Sequence, residues 1–347
     1  MISATYIRQL PKAELHLHLE GSVDGVLLQT LSRKYNTEYR DLSPEQIAAT
    51  LFRFEDFSGF LRTYRTICAH LREPEDYLLV LEALADYWRR ENIRYVELIT
   101  SPAILWQAGL DGEATLAALL DRSAELEKQG DVIIRWILDC VRQFGPESAQ
   151  KTADLAFRYR DRGIVGIGLG GDETSVPMKE YEQVFHWAKA NGLYIHTHAG
   201  EIGGPDQIWD ALTLLGANRI GHGIQAARDP RLMEYLRNHA IALDVCLTSN
   251  VKTGAWAPIS NHPITLLRKR GVPVTLNTDD PGIFETSLTE EYVKAVKYFS
   301  LRRDDLHVIV LQGISAAFLP ASEKESLMQR FQDEIYRLAK TPDFIES

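Results

Sequence analysis

The sequence predicts an α/β protein built as a TIM (β/α)8 barrel, a closed ring of eight parallel strands, with an inserted helical segment after the first strand. Eight short apolar runs rich in β-branched residues recur along the chain, and amphipathic helical segments separate them. One connection is much longer than the rest. Strand–helix alternation implies parallel strands, and eight units imply a barrel. We assign residues 1–347 to one domain, because such barrels commonly use about 250 residues or more.

The predicted strands are short, and the helices between them end at residues that stop helices. The strands lie near residues 14–19, 93–99, 133–139, 165–169, 194–199, 219–222, 242–246 and 273–277. A helix predicted at residues 179–190 is closed by Asn191 and Gly192, and another at residues 206–215 is closed by Gly216. Glycine and asparagine readily adopt the left-handed backbone conformation that ends a helix.

The connection between the first two strands, about residues 21–92, has a mainly helical pattern. Its centre, FRFEDFSGFLRTYRTICAHL, carries aromatic residues at mixed spacing. A bare barrel needs a single helix there, so we expect an inserted helical lid near the C-terminal end of the first strand. The alternative is an extra packing layer with no role in binding.

Composition limits the classes of partner. The 347-residue chain has 38 Lys and Arg against 48 Asp and Glu, a formal net charge of −10. Nucleic acid and anionic membranes require clustered basic residues, so we expect neither and favour a small molecule. Cys68, Cys140 and Cys246 lie far apart, as is typical of reduced thiols. The first residues lack a signal-peptide profile, and no run approaches the ~20 apolar residues of a membrane span, so we expect a cytoplasmic protein.

Ionisable side chains gather where predicted strands end. Residues two apart on a strand lie on the same side, so His16 and His18 in HLHLEG both face the barrel interior. The C-terminal ends of barrel strands form the usual active face. The fifth, sixth and eighth strands end in HTHAGE, RIGHG and NTDDP, which contribute His196, His198, Glu201, His222, Asp279 and Asp280.

Three imidazoles with one carboxylate are typical of a site for a borderline divalent ion, and one zinc ion is our first choice. The predicted metal ligands, with one position left for water, are His16, His18, His198 and Asp279. Zinc can lower the pKa of water from about 15.7 to about 7. Glu201, His222 and Asp280 would then transfer protons and orient the reactants. We expect His196 to point to the opposite side from His198 and to be structural.

At these residues the sequence resembles the adenosine deaminase family of the amidohydrolase superfamily. The resemblance rests on PKAELHLHLEGS, LREPEDY, RYVEL, GIGLGGDE, HTHAGE, RIGHG, SNVKTG, HPI and VTLNTDDPGIF, in this order. It implies hydrolytic removal of the 6-amino group from an adenine ring, with release of ammonia and formation of a 6-oxopurine. It also implies the same four metal ligands.

The resemblance assigns roles to the remaining residues. Glu201 would protonate purine N1 and make C6 electrophilic, while His222 and Asp280 would orient and activate the attacking water. Asp280 would also contact N7. Gly171 in GLGGDE would bring its backbone N–H to N3, a close approach that the absence of a side chain permits. The fourth strand, VGIGLGGDE, has no lysine, which argues against the two-metal relatives that use a carboxylated lysine there.

Two departures from the family concern the substrate. Adenosine enzymes of the family carry an aspartate that contacts the ribose 5′-hydroxyl, and here the corresponding residue is Glu20, whose carboxylate reaches further. They also carry an aspartate where this chain has Gly168. Glu20 remains a predicted substrate-binding residue, with an altered contact.

Three substrates stay open. HLHLEG is shared with relatives that deaminate free adenine, whereas TDDPGIFETSLTEEY is closer to nucleoside enzymes. AILW and RWILDCVRQFG resemble bacterial relatives that act on 6-amino-6-deoxyfutalosine, a nucleoside of the menaquinone pathway with an aromatic carboxylate at its 5′ side. We favour aminodeoxyfutalosine, with adenosine close behind and adenine as the alternative. Arg135 and Arg142 are candidates for pairing with that carboxylate, although we favour their interpretation as solvated surface side chains.

A metal-binding protein without turnover is the alternative from another class. Such a protein would tend to lose its proton-handling groups, and this chain keeps Glu201, His222 and Asp280. We therefore expect an enzyme, an aminohydrolase that acts on a cyclic amidine.

Overall fold

Eight parallel strands form one sheet whose order follows the chain. They are β1 (Lys12–His18), β2 (Ile93–Thr100), β3 (Ile133–Val141), β4 (Ile164–Gly170), β5 (Tyr194–Ala199), β6 (Arg219–His222), β7 (Leu243–Val245) and β8 (Val274–Leu276). The structure is a computed structural model that describes residues 2–130 and 132–341. Each predicted strand is present, with small differences at the ends.

The ring of strands closes where β8 meets β1. The backbone N–H of His18 donates to the Asp279 carbonyl at 2.8 Å, and the N–H of Asp279 donates to the His16 carbonyl at 3.1 Å. Nearer the start of β1, the side-chain oxygen of Asn277 accepts from the backbone N–H of Leu15 at 2.7 Å. These bonds complete the ring, and the predicted TIM barrel is confirmed.

Helices surround the barrel and follow its last strand. They are α1 (Ala4–Gln9), α2 (Gly25–Tyr35), α3 (Pro44–Leu51), α4 (Phe57–Cys68), α5 (Pro74–Glu91), α6 (Pro102–Gln107), α7 (Gly112–Gln129), α8 (Gly145–Arg158), α9 (Glu182–Ala190), α10 (Pro205–Thr213), α11 (Pro230–Asn238), α12 (Leu247–Lys252), α13 (Ile264–Lys269), α14 (Pro281–Phe284), α15 (Leu288–Phe299), α16 (Arg303–Ala316) and α17 (Ala321–Ala339). Over residues 179–190, a 3-10 turn precedes α9. The predicted helix at residues 206–215 is α10. In the part of the chain that the structure describes, no helix is long and apolar enough to cross a bilayer.

The long connection after β1 consists of helices α2 to α5. The helix α5 packs on β2 and α7 and is the barrel helix that a single connection would need, so α2, α3 and α4 are the insertion. Polar caps fix where these helices begin: Ser43 forms a capping box with Gln46 at α3, and the Asp56 carboxylate accepts from the Gly59 N–H at 2.7 Å at α4. The predicted helical insertion is therefore present.

The barrel interior is filled by side chains. Phe318, which follows α16, stacks on Tyr194 with ring centroids 4.6 Å apart, and it packs with Ile99 and Ile137 inside the ring of strands. Tyr194 is the first residue of β5, so this cluster of apolar side chains lies toward the N-terminal ends of the strands. The opposite end, where the strands finish, carries the polar residues singled out above.

Candidate active site

The four predicted metal ligands lie together at the C-terminal ends of the strands. The Nε2 atoms of His16 and His18, on β1, lie 3.1 and 3.3 Å from the same oxygen, Oδ1 of Asp279. The ring centroid of His198, on β5, is 4.5 Å from that of His16. All four side chains are buried. Residues that are far apart in sequence thus form one compact set of donors.

This donor set fits a divalent cation. The Nε2 atom of His198 and both ring nitrogens of His16 are buried without a hydrogen-bond partner. Burial and the nearby His16 and His222 rings hold the pKa of His198 well below its usual value, so its imidazole is neutral and offers a lone pair. Burial opposes ionisation of Asp279, but the adjacent His16 and His18 rings hold its pKa well below its usual value. Although burial opposes the shift, Asp279 raises the pKa of His18 to about 10, so a bound cation would displace a proton from this ring. An ionised carboxylate and imidazoles with a free lone pair are the forms that bind zinc.

Two residues at the strand ends have left-handed backbone conformations. Asp279 has a φ of 66° and His222 has a φ of 59°, a region that residues other than glycine rarely occupy. Asp279 is fixed there by its backbone bonds to β1 and by the Ser249 hydroxyl, which donates to its Oδ2 atom at 2.8 Å. Such backbone strain persists only where surrounding contacts impose it, and it is concentrated at functional sites.

Glu201 lies in the loop that follows β5, in surroundings that favour the protonated form of its carboxyl group. Burial, followed by the charges of Asp279 and Glu173, raises the pKa of Glu201 well above its usual value. The loop itself is held by Glu173, whose carboxylate accepts from the backbone N–H groups of Glu201, Ile202 and Gly203 at 3.2, 3.1 and 2.6 Å. In the GIGLGGDE motif, Gly171 was predicted as a site residue, whereas the positioning role of Glu173 was not predicted.

His222 ends β6 and links the acid to the metal-ligand set. Its Nε2 atom lies 3.5 Å from Oε2 of Glu201 and 3.8 Å from Oδ2 of Asp279. Burial lowers the pKa of His222 to about 3 although Asp279 opposes the shift, so the ring is neutral and carries one proton.

A row of hydrogen bonds behind His222 determines which nitrogen carries that proton. The backbone N–H of Ile264 donates to Nδ1 of His262 at 3.3 Å, so the proton of His262 is on Nε2. His262 Nε2 lies 3.1 Å from Oδ1 of Asn250, and the Nδ2 amide of Asn250 lies 3.1 Å from Nδ1 of His222. The Asn250 amide therefore donates to His222, whose proton is on Nε2 and faces the site. Sequence reasoning missed both His262 and Asn250, although SNVKTG and HPI contain them.

Asp280 stands beside Asp279 and has a free oxygen in the site. Its Oδ1 atom is buried without a hydrogen-bond partner. Burial and the neighbouring Asp279 charge raise the pKa of Asp280 well above its usual value. The absence of a side chain at Gly21 makes room for it, since a Cβ there would lie 1.6 Å from Asp280 Oδ1.

His196 points into the barrel on the same side as His198, so the prediction that it points away is wrong. The physical reason is the period of two along a strand, which places both rings on one face. His196 Nε2 lies 3.1 Å from Oδ2 of Asp244, which also accepts from Nε of Arg219 at 2.6 Å. His16, His196 and Asp244 could together hold a cation, but His196 is already bonded to a buried ion pair.

The predicted substrate-binding residues occupy the mouth of the barrel. Glu20 is buried, and its Oε1 atom accepts from the Thr100 hydroxyl at 2.8 Å and from the Ser101 N–H at 3.2 Å. Its other oxygen accepts from the Tyr64 hydroxyl of α4 at 3.2 Å. Gly171 has a φ of 94°, a backbone conformation that favours glycine, and a Cβ there would lie 2.2 Å from Oε1 of Gln143, so the flexible Gln143 side chain would have to move.

The two arginines considered for a substrate carboxylate have protein partners. Arg135 lies early in β3, away from the strand ends, and pairs with Glu127 at 2.9 Å and Glu323 at 3.4 Å. Arg142 is fully buried, so it is not a solvated surface residue. It donates to the carbonyls of His198 at 3.0 Å and Glu173 at 3.2 Å, and thereby joins the loops that carry the site.

The chain is similar to known proteins over most of its length. A sequence model of the family described as adenosine deaminase matches residues 11–334. An aminodeoxyfutalosine deaminase from Streptomyces avermitilis is 38% identical over 322 residues, covering 92% of this chain and 90% of that protein. An adenine deaminase from Chelativorans sp. is 33% identical over 323 residues, covering 93% of this chain and 98% of that protein.

The fold of a solved relative agrees as well. The crystal structure of an adenine deaminase from Arthrobacter aurescens superposes with a TM-score of 0.88 at 26% identity, covering 96% of this chain and 100% of that one. The family match spans the strands, the insertion and every residue of the predicted site. The protein therefore belongs to the adenosine deaminase family.

Proposed function

We propose that this protein is a hydrolase that removes the 6-amino group of an aminopurine nucleoside, with one zinc ion held by His16, His18, His198 and Asp279. The observation that carries the proposal is the convergence of three proton-handling groups on these four residues. They are a protonated Glu201, a His222 with its proton on Nε2, and an Asp280 with a free oxygen. Relatives named aminodeoxyfutalosine deaminase and adenine deaminase support the reaction class.

Each group has one task in the proposed reaction. A bound zinc ion would supply Lewis acidity that makes water nucleophilic at neutral pH. Glu201 would donate its proton to ring N1, which withdraws electron density from C6. The Nε2–H of His222 would orient the attacking water, and the free Oδ1 of Asp280 would accept a proton from that water. Asp280 would pass this proton to the amino group, which leaves as ammonia when the C6–N6 bond breaks. The hydroxyl on C6 would become the 6-oxo group, and the proton it loses would restore Glu201.

We propose aminodeoxyfutalosine as the favoured substrate, with adenosine close behind and adenine as the alternative. The 38% identity to an aminodeoxyfutalosine deaminase supports the first of these substrates. The residue expected to meet the ribose 5′-hydroxyl, Glu20, is already bonded to protein groups, which suits an altered 5′ side. An aromatic cluster formed by the insertion and α14 reaches Glu20 through Tyr64 and suits an aromatic arm. Its members are Phe54, Phe57, Phe60, Tyr64 and Phe284.

The test is turnover of the zinc-loaded protein with the three substrates, followed by the change in absorbance and by ammonia release. We expect the highest kcat/KM for aminodeoxyfutalosine, and a higher value for adenosine would contradict the favoured substrate. We expect Glu201→Gln to lower kcat by at least about a hundredfold with zinc content unchanged, because Gln cannot donate a proton to N1. The matched control is Glu234→Gln, on an exposed face of α11, which should retain full activity. An active Glu201→Gln variant would contradict the assigned acid.

A further inference from the structure

A buried carboxylate that has no task in the reaction above lies at the same end of the barrel. Asp139 lies near the end of β3, is only 4% exposed, and its Oδ1 atom has no hydrogen-bond partner. Ile137, two residues earlier, packs inside the barrel with Phe318. Because residues two apart share a face of a strand, Asp139 also points into the barrel, at its active end.

Two glycines of β4 make the space for this carboxylate. Asp139 is paired in register with Gly168. A Cβ at Gly168 would lie 2.4 Å from Asp139 Oδ1, and a Cβ at Gly170 would lie 2.4 Å from Oδ2. Neither glycine has a left-handed φ, so the backbone does not require glycine at either position. The absence of side chains at Gly168 and Gly170 therefore leaves room on β4 for the Asp139 side chain.

The charged neighbours of Asp139 place it on one side of the site. Burial raises the pKa of Asp139 to about 7, with His18 and Arg142 opposing the shift and Glu20 adding to it. These neighbours belong to β1, β3 and the loops after them, whereas Glu201 and His222 follow β5 and end β6. An aminopurine whose N1–C6 edge meets Glu201 and His222 extends its opposite edge, which carries N9, toward Asp139.

We propose that Asp139 is a substrate-binding residue that accepts a hydrogen bond from a donor at the N9 end of the aminopurine. The donor is a sugar hydroxyl of a nucleoside or the N9–H of a free base. This inference rests on the proposed function. A buried carboxylate oxygen without a partner costs free energy, and a bound donor removes that cost.

The experiment combines substitutions at Asp139 with substrates that lack single donors. Wild type, Asp139→Ala and Asp139→Asn are compared on aminodeoxyfutalosine, adenosine, its 2′-, 3′- and 5′-deoxy analogues, adenine and 9-methyladenine. We expect Asp139→Ala to raise KM about 10-fold to 100-fold for the substrate that offers the donor, with kcat within about threefold. For the analogue that lacks this donor, the same substitution should change KM by less than about threefold, because the lost contact was already absent.

Zinc content and thermal unfolding of each variant are measured alongside, and Asp161→Ala, whose side chain is 90% exposed, is the matched control. If Asp139→Ala misfolds, the isosteric Asp139→Asn carries the comparison and should show the same dependence on the substrate donor with a smaller rise in KM, because its amide oxygen is a weaker acceptor than a carboxylate. An equal loss on every substrate, or a loss in kcat alone, would overturn the inference while the deaminase function stands. A wild-type protein that deaminates none of these aminopurines would overturn both.

Discussion

The proton on His222 is controlled by residues that do not reach the substrate. Imidazole can carry its proton on either nitrogen, and only the Nε2 form presents an N–H to the metal-ligand set. The Ile264 backbone N–H can only donate, so it places the proton of His262 on Nε2. That N–H donates to Oδ1 of Asn250, and the Asn250 NH2 group then donates to Nδ1 of His222. A main-chain group outside the barrel thereby sets a proton position inside the site.

Asn250→Asp tests this control because it keeps the side-chain shape and reverses the hydrogen bond. A carboxylate at position 250 accepts a hydrogen bond from Nδ1 of His222. The single proton of the neutral ring then lies on Nδ1, and Nε2 carries none. We expect kcat to fall about 10-fold to 1000-fold while KM and zinc content change little, since the loss concerns general acid–base chemistry. The measurement is steady-state kinetics with the preferred substrate, and the control is Asn261→Asp, an exposed neighbour. Equal activity of the two variants would show that the proton of His222 is not set by Asn250.

His262 also makes stability depend on pH. Burial lowers its pKa to about 3, far below the usual value of 6.5. Above about pH 6.5 the ring is neutral in both folded and unfolded chains, but between pH 3 and 6.5 only the unfolded chain takes up the proton, so stability falls as the pH falls. His262→Gln removes this contribution. In urea unfolding between pH 7 and 5, we expect the stability advantage of wild type over His262→Gln to shrink by up to about 1.4 kcal/mol per pH unit.

The matched control for that measurement is His239→Gln, since His239 is exposed at the end of α11. Its difference from wild type should be independent of pH. A constant difference for His262→Gln as well would mean that His262 titrates normally in the folded protein.

At the scale of elements, the insertion and the loop after β1 complete the site that the strands begin. The helix α4 sets Tyr64 over Glu20, and His18 lies beside the Tyr64 ring with centroids 6.3 Å apart. These contacts place α4 beside the predicted site, and the role of the insertion as a lid stays a prediction, with an extra packing layer that has no role in binding as the alternative.

A substitution in the 3-10 turn that follows β1, at Glu20–Ser22, tests whether Asp280 must keep its present position. Gly21→Ala would place a Cβ within 1.6 Å of Asp280 Oδ1, so the Asp280 carboxylate must move. We expect kcat to fall at least about a hundredfold because a proton acceptor displaced by 1 Å or more no longer reaches its water. Gly130→Ala, where the new Cβ meets only an ordinary contact at 3.5 Å, is the matched control and should keep full activity. An active Gly21→Ala variant would show that Asp280 is not needed in its present position.

The elements of the fold were predictable because local chemistry specifies them. Apolar β-branched runs define the strands, and Gly or Asn closes the helices between them. At the edges the pattern is weaker: β8 begins after Pro273, which has no N–H for the ladder, and β7 begins after Ala242. The site residues that lie in sequence motifs were predictable because each motif stands at the end of a predicted strand.

Contacts between loops and between strands were not predictable. Glu173 accepts hydrogen bonds from the backbone of the loop that carries Glu201. Sequence periodicity indicates secondary structure, but it does not indicate hydrogen bonds between a side chain and a distant main chain. Asp139 depends on the register of β3 against β4, which places it opposite a glycine. The orientation of His196 was predictable from the period of two and was misjudged.

At the scale of the whole molecule, a buried ion network holds the barrel together beneath the metal-ligand set. Arg219 on β6 donates to Asp244 on β7, to Glu97 on β2 and to the Leu15 carbonyl of β1. The Thr275 hydroxyl of β8 donates to Asp244 at 2.7 Å, and His196 on β5 lies 3.1 Å from the same carboxylate. One guanidinium thus joins strands from both sides of the seam where β8 meets β1, a seam that has few backbone bonds of its own.

Arg219→Met tests how much of the stability depends on this network. The methionine fills part of the space but leaves the Glu97 and Asp244 carboxylates buried without their cation, which costs about 3–5 kcal/mol of unfolding free energy. The matched control is Arg158→Met, which removes an equally well-aligned pair with Glu113, 2.7 Å apart, on the protein surface. Because water screens that pair, its loss should cost less than about 1 kcal/mol. Urea unfolding of the zinc-saturated proteins compares the two, and equal stabilities would mean that the strands, not the buried charges, close the barrel.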